Sequence, residues 1–128
     1  MKVLIVDGYN AIHKIPELDG ILDDSLEEAR SRITDLAKEY QRRTGGVAEV
    51  FVVFDGKDEY RGLSSNKPDQ VFSKTGEGDR EIIRLAQDKL SKYHVIVASD
   101  DNYVGNSCRA AGATVISIKG FYAVAGKS

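Results

Sequence analysis

Four apolar runs punctuate the chain, at Val3 to Val6, Val50 to Phe54, Val95 to Ala98 and Thr114 to Ile118. The first three are nearly continuous rather than alternating, which marks strands buried on both faces, as in a parallel sheet. Between the first two, Leu26, Ala29, Ile33, Leu36, Ala37 and Tyr40 recur at intervals of three and four with charged residues elsewhere, the pattern of one long amphipathic helix. Its ends carry signals. Ser25 and Glu28 have capping-box spacing, and Gly45-Gly46 follow Arg42 and Arg43 where a left-handed stop is expected. Ile82, Ile83, Leu85, Ala86 and Leu90 predict a second helix, and Val104, Cys108 and Ala111 a shorter third that ends at Gly112. A weaker strand is expected around Val71 and Phe72, after a polar loop with Pro68. Strand and helix alternate, so the pattern predicts a three-layer α/β domain with right-handed crossovers.

A chain of 128 residues can bury roughly two thirds of its unfolded surface in one core, which predicts a single domain. The expected domain covers residues 1–118, and residues 119–128, rich in glycine and lysine, read as a short loose tail. The formal net charge of -2 excludes a broad basic footprint and leaves room only for a local basic patch. Cys108 is the single cysteine, so no internal disulfide can form. The first apolar run is too short for a signal peptide or a membrane span, and a cytoplasmic protein is expected.

The chemistry sits where the strands end. Asp7 directly follows the first run, Asp55 the second, and Asp100 comes one serine after the third. In a parallel sheet these ends share one edge, the edge at which open α/β folds bind ligands. Asp79 opens the second helix on that same edge, with Asp101 and Glu77 nearby in sequence. Two carboxylates about 5 Å apart repel by roughly 3 kcal/mol at an effective dielectric near 20. Protonation could offset that, and so could Mg²⁺ or Mn²⁺, which take oxygen ligands and keep several waters. Each aspartate taken singly is equally well a turn former or a helix cap, and only their coincidence at consecutive strand ends favours a site.

The segments "LIVDGYNAI", "VVFDG", "VFSKTGEGDREI" and "VIVASDD", in that order from Lys2 to about Ile118, resemble the NYN-domain proteins of the YacP-like group within the PIN-like nuclease superfamily. The resemblance implies a PIN-like (Rossmann-like) fold with the first strand central in a mainly parallel sheet, flanked by the second strand and the one ending near Asp100. It implies a metal-dependent ribonuclease, an endoribonuclease acting on messenger or ribosome-associated RNA with Mg²⁺ or Mn²⁺. Position by position, Asp7, Asp79 and Asp100 match the acidic metal-site residues, Asn10 matches the polar residue of the name-giving motif, and Asp55 or Asp101 would complete the shell directly or through water. Two departures stand out. "GEG" precedes Asp79 where the family more often has a threonine-alanine pair, and relatives usually continue past the last strand into further helix, which supplies a ribosome contact in some.

Other residues carry weaker expectations. Gly8 suits a sharp turn or a close approach to a ligand. Tyr9 and Tyr103 flank the edge, where they stack on bases or pack on the rim. Lys57, Arg61, Lys67, Lys74, Arg80 and Arg84 would form either a phosphate track or a mixed-charge surface, with Lys74 and Arg80 nearest the acids in sequence. His13 and His94 read as structural, and Cys108 as core. Two rival classes remain: a receiver-like Mg²⁺-binding signalling domain, with Asp55 and Lys119 in its key positions, and an inactive RNA-binding module of the same fold. The unbroken helix from Ser25 to Arg43 argues against the receiver.

Overall fold

Buried aliphatic runs form the sheet. The computed structural model describes residues 1–55, 69–73 and 77–126. Its strands are β1 (Lys2–Asp7), β2 (Val47–Phe54), β3 (Gln70–Phe72), β4 (His94–Ala98) and β5 (Thr114–Ile116). They make one sheet in the order β3-β2-β1-β4-β5, with every pairing parallel. Val3 to Val6 of the central strand are fully buried, as their continuous apolar character requires. This order matches the first five strands of the classic Rossmann order 3-2-1-4-5-6; a receiver would need the flavodoxin-like order 2-1-3-4-5.

Helices cover both faces. α1 (Gly8–Lys14), α2 (Pro16–Leu22), α3 (Leu26–Thr44) and α6 (Ile118–Ala125) pack on the face carrying Leu4, Val6, Val52 and Ala98. α4 (Gly78–Lys89) and α5 (Asn102–Ala111) pack on the face carrying Val3, Ile5, Val53 and Val97. The long helix is capped as its sequence predicts: Ser25 Oγ accepts the Glu28 N–H at 3.0 Å, and Gly45 and Gly46 follow with φ of 75° and 72°. α5 stops at Gly112, whose φ is 111°. Cys108 lies in the core, its thiol pushed up to about 11 by burial and by Asp7 nearby, so it is a packing residue and no nucleophile.

Three elements differ from expectation. α1 starts immediately after Asp7, with Gly8 as its first residue. A Cβ on Gly8 would lie 2.6 Å from the Phe54 ring and 2.7 Å from the Val53 carbonyl oxygen, so its bareness serves helix-to-strand packing rather than a turn or a ligand. α2 follows after an extended Ile15, with Pro16 at its first position, where the missing N–H costs no helical bond. The third correction concerns the tail. Residues 118–125 form α6, whose Ile118, Phe121 and Ala125 are buried at intervals of three and four. Phe121 stacks on Tyr40 of α3 at 5.6 Å between ring centroids. The domain therefore runs at least to Ala125, and its last helix completes the core. Among the described residues no helix is long and apolar enough to cross a membrane.

Candidate active site

The parallel register sets the site. Asp7 is the last residue of β1 and faces Val53 of β2, while Val6 faces Ala98 of β4. One step further, Ser99 continues β4 beside Asp7, and its hydroxyl donates to Asp7 Oδ2 at 2.8 Å. Side chains alternate along extended chain. Asp7, Asp55, Ser99 and Asp101 therefore share the side of Ile5, Val53 and Val97, the face covered by α4 and α5. Asp79 meets them there from the first turn of α4.

The carboxylates feel one another. Asp7 is raised to about 6, by burial first and then by Asp79 and Asp101, against the opposing pull of the Ser99 hydroxyl and the Asn10 backbone N–H. Asp79 is raised as well, by partial burial first and then by Asp101 and Asp55. The four acids thus form one mutually repelling group. α4 comes close to β2 at Gly78, where a Cβ would stand only 3.3 Å from Asp55 Cβ. The glycine before Asp79 lets α4 approach β2 and bring Asp79 within reach of the Asp55 charge.

Asp100 faces the other way. Its Oδ1 accepts the Ile118 N–H at 3.0 Å, which ties the β4 end to the start of α6. Its own N–H donates to Asn10 Oδ1 at 2.9 Å. Asp101 does two things: its Oδ1 accepts the Val104 N–H at 2.9 Å as the cap of α5, and its charge bears on Asp7 and Asp79. The structure thus groups Asp101 with Asp7, Asp79 and Asp55, and it joins Asp100 to α6. Ser99, absent from the sequence-derived set, links Asp7 to the Asp101 N–H, which donates to its Oγ at 3.1 Å. Counting two residues at a time from the end of β4 would have separated Asp100 from Asp101 and found Ser99.

Asn10 sits in α1 with its side-chain carbonyl engaged by Asp100, which leaves its NH₂ group to donate at the edge. Tyr9 is half-buried rather than splayed out: its ring lies 5.2 Å from Phe54, and its hydroxyl accepts from Arg30 Nε at 3.0 Å. Arg30, a buried arginine of α3, lies 5.7 Å over both rings. No sequence signal set it apart from the other cations of its helix. Tyr103 is 59% exposed on α5, so it presents a free ring instead of packing. Arg80 is exposed and lies 3.9 Å from Glu77, part of a mixed-charge surface. His13 is exposed beside Asp19, and His94 meets Thr114 across the β4–β5 pair. Lys74, and with it Lys57, Arg61 and Lys67, lies outside the described residues.

The donors fit a hard cation in type. They are carboxylate oxygens with a serine and an amide beside them, and no soft ligand stands among them. Among the described residues no group of three His, Cys, Asp or Glu is close enough to cage an ion by itself. Mg²⁺ is usually bound through one or two carboxylates, with water and substrate phosphate completing its shell.

A three-layer PIN-like domain with acids gathered at the carboxyl edge of a parallel sheet is a nuclease-type architecture. The chain belongs to the YacP-like NYN domain family, whose model matches residues 4–127. It is 37% identical over 91 residues to the uncharacterized protein YacP of Bacillus subtilis (strain 168), an alignment covering 68% of this chain and 52% of that protein. The chain therefore spans about half the length of that curated relative. It also resembles the crystal structure of Rae1 (YacP) from Bacillus subtilis, with a TM-score of 0.78 and 29% identity over 98% of this chain and 74% of that one. A point mutant of the same protein gives a TM-score of 0.80 at 30% identity, over 98% of this chain and 76% of the other. NYN domains are nuclease-type domains that act on RNA, and PIN-like nucleases generally use divalent metals.

Proposed function

We propose that the chain is an endoribonuclease that hydrolyses RNA phosphodiester bonds with Mg²⁺ or Mn²⁺ held at the carboxyl edge of the sheet, and that it works in the cytoplasm. One observation carries this reading. Asp7, Asp79, Asp101 and Asp55 are drawn together on one face although their charges oppose it, and Asp7 is raised to about 6, by burial first and then by Asp79 and Asp101. A fold that needed these residues only as turn formers and caps would gain nothing from that repulsion.

Asp7 and Asp79 would hold the ion, with Asp101 and Asp55 completing the shell through water. Bound there, Mg²⁺ or Mn²⁺ would lower the pKa of a water, align it for in-line attack on phosphorus and stabilise charge on the leaving oxygen. The chain's own groups do the positioning. Ser99 fixes the rotamer of Asp7 through its hydroxyl and receives the Asp101 N–H in turn. Asn10 offers its NH₂ group to a phosphate oxygen or a water. Asp100 braces this arrangement from behind by joining Asn10 to the end of β4 and to α6.

The experiment is cleavage of single-stranded and structured RNA by the intact chain. Cleavage should need Mg²⁺ or Mn²⁺, stop with EDTA, and leave 5′-phosphate and 3′-hydroxyl ends. A 2′,3′-cyclic phosphate would mean that the RNA 2′-hydroxyl is the nucleophile and would rule the mechanism out. RNA binding with no cleavage under either metal would instead support an inactive RNA-binding module.

A further inference from the structure

Beside Asp101, on the β5 side of the acidic group, a cleft of about 200 Å³ opens between α5 and the corner where β5 turns into α6. Ser99, Asp100, Asp101, Asn102, Arg109 and Ser117 give it polar walls, so Arg109 is its one cation beside two carboxylates, and Gly105 and Val115 form its floor. We propose that this cleft receives the RNA nucleotide next to the scissile phosphate, with Arg109 holding that nucleotide's phosphate. The inference rests on reading the acidic edge as an RNA-cleaving site.

Three observations converge on it. First, residues 102, 105 and 109 recur at helical spacing, so one stripe of α5 faces the cleft and it is polar or bare throughout. Gly105 keeps the floor open: a Cβ there would lie 3.5 Å from Arg109 Nη1 and 3.6 Å from Val115 Cγ1.

Second, Arg109 is uncommitted. Arg42, Arg43, Arg80 and Arg84 each stand beside a glutamate. Among the described residues Arg109 has no carboxylate within ion-pair distance, and its guanidinium makes only a long 3.4 Å hydrogen bond to Asn106 Oδ1. A guanidinium fork matches the geometry of a phosphate. A polyanion drawn to an edge of four carboxylates needs a cation of the protein's own close by, and this one faces the cleft.

Third, the size selects a fragment. Sites that enclose a whole small molecule commonly measure about 300–1,000 Å³. The cleft is smaller and open, as a subsite for one unit of a chain would be.

The test is binding of a labelled single-stranded oligoribonucleotide, read by fluorescence anisotropy in an Asp7→Asn background, alongside cleavage kinetics with Asp7 restored. Arg109→Gln should weaken binding roughly tenfold, the usual effect of losing one charge-assisted contact. It should reduce the slope of log K against log salt by about 0.7, the value for one phosphate on a single strand. In cleavage it should raise KM more than it lowers kcat. Arg109→Lys should recover part of the affinity, and Arg42→Gln, on the far end of α3, should change neither affinity nor slope. Unchanged affinity and salt slope in Arg109→Gln, in a chain that cleaves RNA, would overturn this inference and leave the ribonuclease reading standing. Arg109-dependent binding without cleavage would overturn the ribonuclease reading and with it the scissile phosphate beside the cleft, leaving Arg109 as an RNA contact alone. No RNA binding by any form would remove both.

Discussion

Asp7 shows what a single carboxylate gives up to serve a site. It is partly buried, it accepts from Ser99 and from the Asn10 backbone, and even so its pKa rises to about 6 because burial and its acidic neighbours outweigh both hydrogen bonds. In the unfolded chain the same group titrates at 3.8. Between those two values the folded state holds the proton and the unfolded state has lost it. This group's contribution to stability is therefore full below the unfolded value and is lost as pH rises through about 6. The loss amounts to at most about 3 kcal/mol. Urea unfolding in EDTA across pH 4 to 7 reads it out. Asp7→Asn should flatten the fall in stability over that window and leave the metal-free protein the more stable of the two near neutrality. Equal slopes in the two proteins would show that Asp7 pays no such cost.

At the scale of elements, the difference between Asp100 and Asp101 is one of pleat parity. Beyond the end of β4 the backbone is still extended at Asp101, whose φ and ψ are −72° and 124°, and the bonds of Asp100 to Ile118 and of Asp101 to Val104 lead to opposite faces. Asp101 goes to the side of α4 and α5, and Asp100 to the side of α6. The two should answer substitution differently. Asp100→Ala removes the acceptor for the Ile118 N–H and should cost about 1–2 kcal/mol, whereas Asp100→Asn keeps an acceptor and should retain cleavage. Asp101→Asn keeps the α5 cap through its amide oxygen but should lower cleavage tenfold or more, an estimate based on one lost ligand charge. If Asp100→Asn abolished cleavage while Asp101→Asn preserved it, the ligand would be Asp100. Parity was present in the sequence, as was the 118-121-125 spacing of α6. What hid them was local chemistry. Gly120 and Gly126 weaken the helical signal of the last helix, and an "SDD" run sets two acids side by side whose different partners only the fold separates. α1 and α2 were hidden for a related reason: each is only seven residues long, too short for a periodic pattern to stand out. The long buried strands and the doubly marked α3 were legible because burial on both faces and caps at both ends leave few alternatives. Arg30 was not legible, since its partners Tyr9 and Phe54 come from distant parts of the chain.

For the molecule as a whole, topology concentrates charge that composition conceals. The formal net charge is only -2, yet β1 at the sheet centre places its carboxyl end between those of β2 and β4, and α4 starts on the same rim. Acids far apart in the chain therefore meet only in the folded state, and an ion that binds them binds the native protein alone. Such a ligand stabilises by RT ln(1 + [L]/Kd), roughly 2.7 kcal/mol at one hundred times Kd. For a domain of this size that corresponds to a rise in melting temperature of about 10 °C. Mn²⁺ titrated into the metal-free chain should give a rise of this order, and Asp7→Asn and Asp79→Asn should each remove most of it. Asp100→Asn should respond like the intact chain, because its carboxylate is turned to α6. The thermal response needs no substrate and no turnover, so it tests the carboxylate group apart from any choice of RNA. A melting temperature that rises equally with Mn²⁺ in the Asp7, Asp79 and intact proteins would put the ion elsewhere and return these aspartates to capping and turn duty.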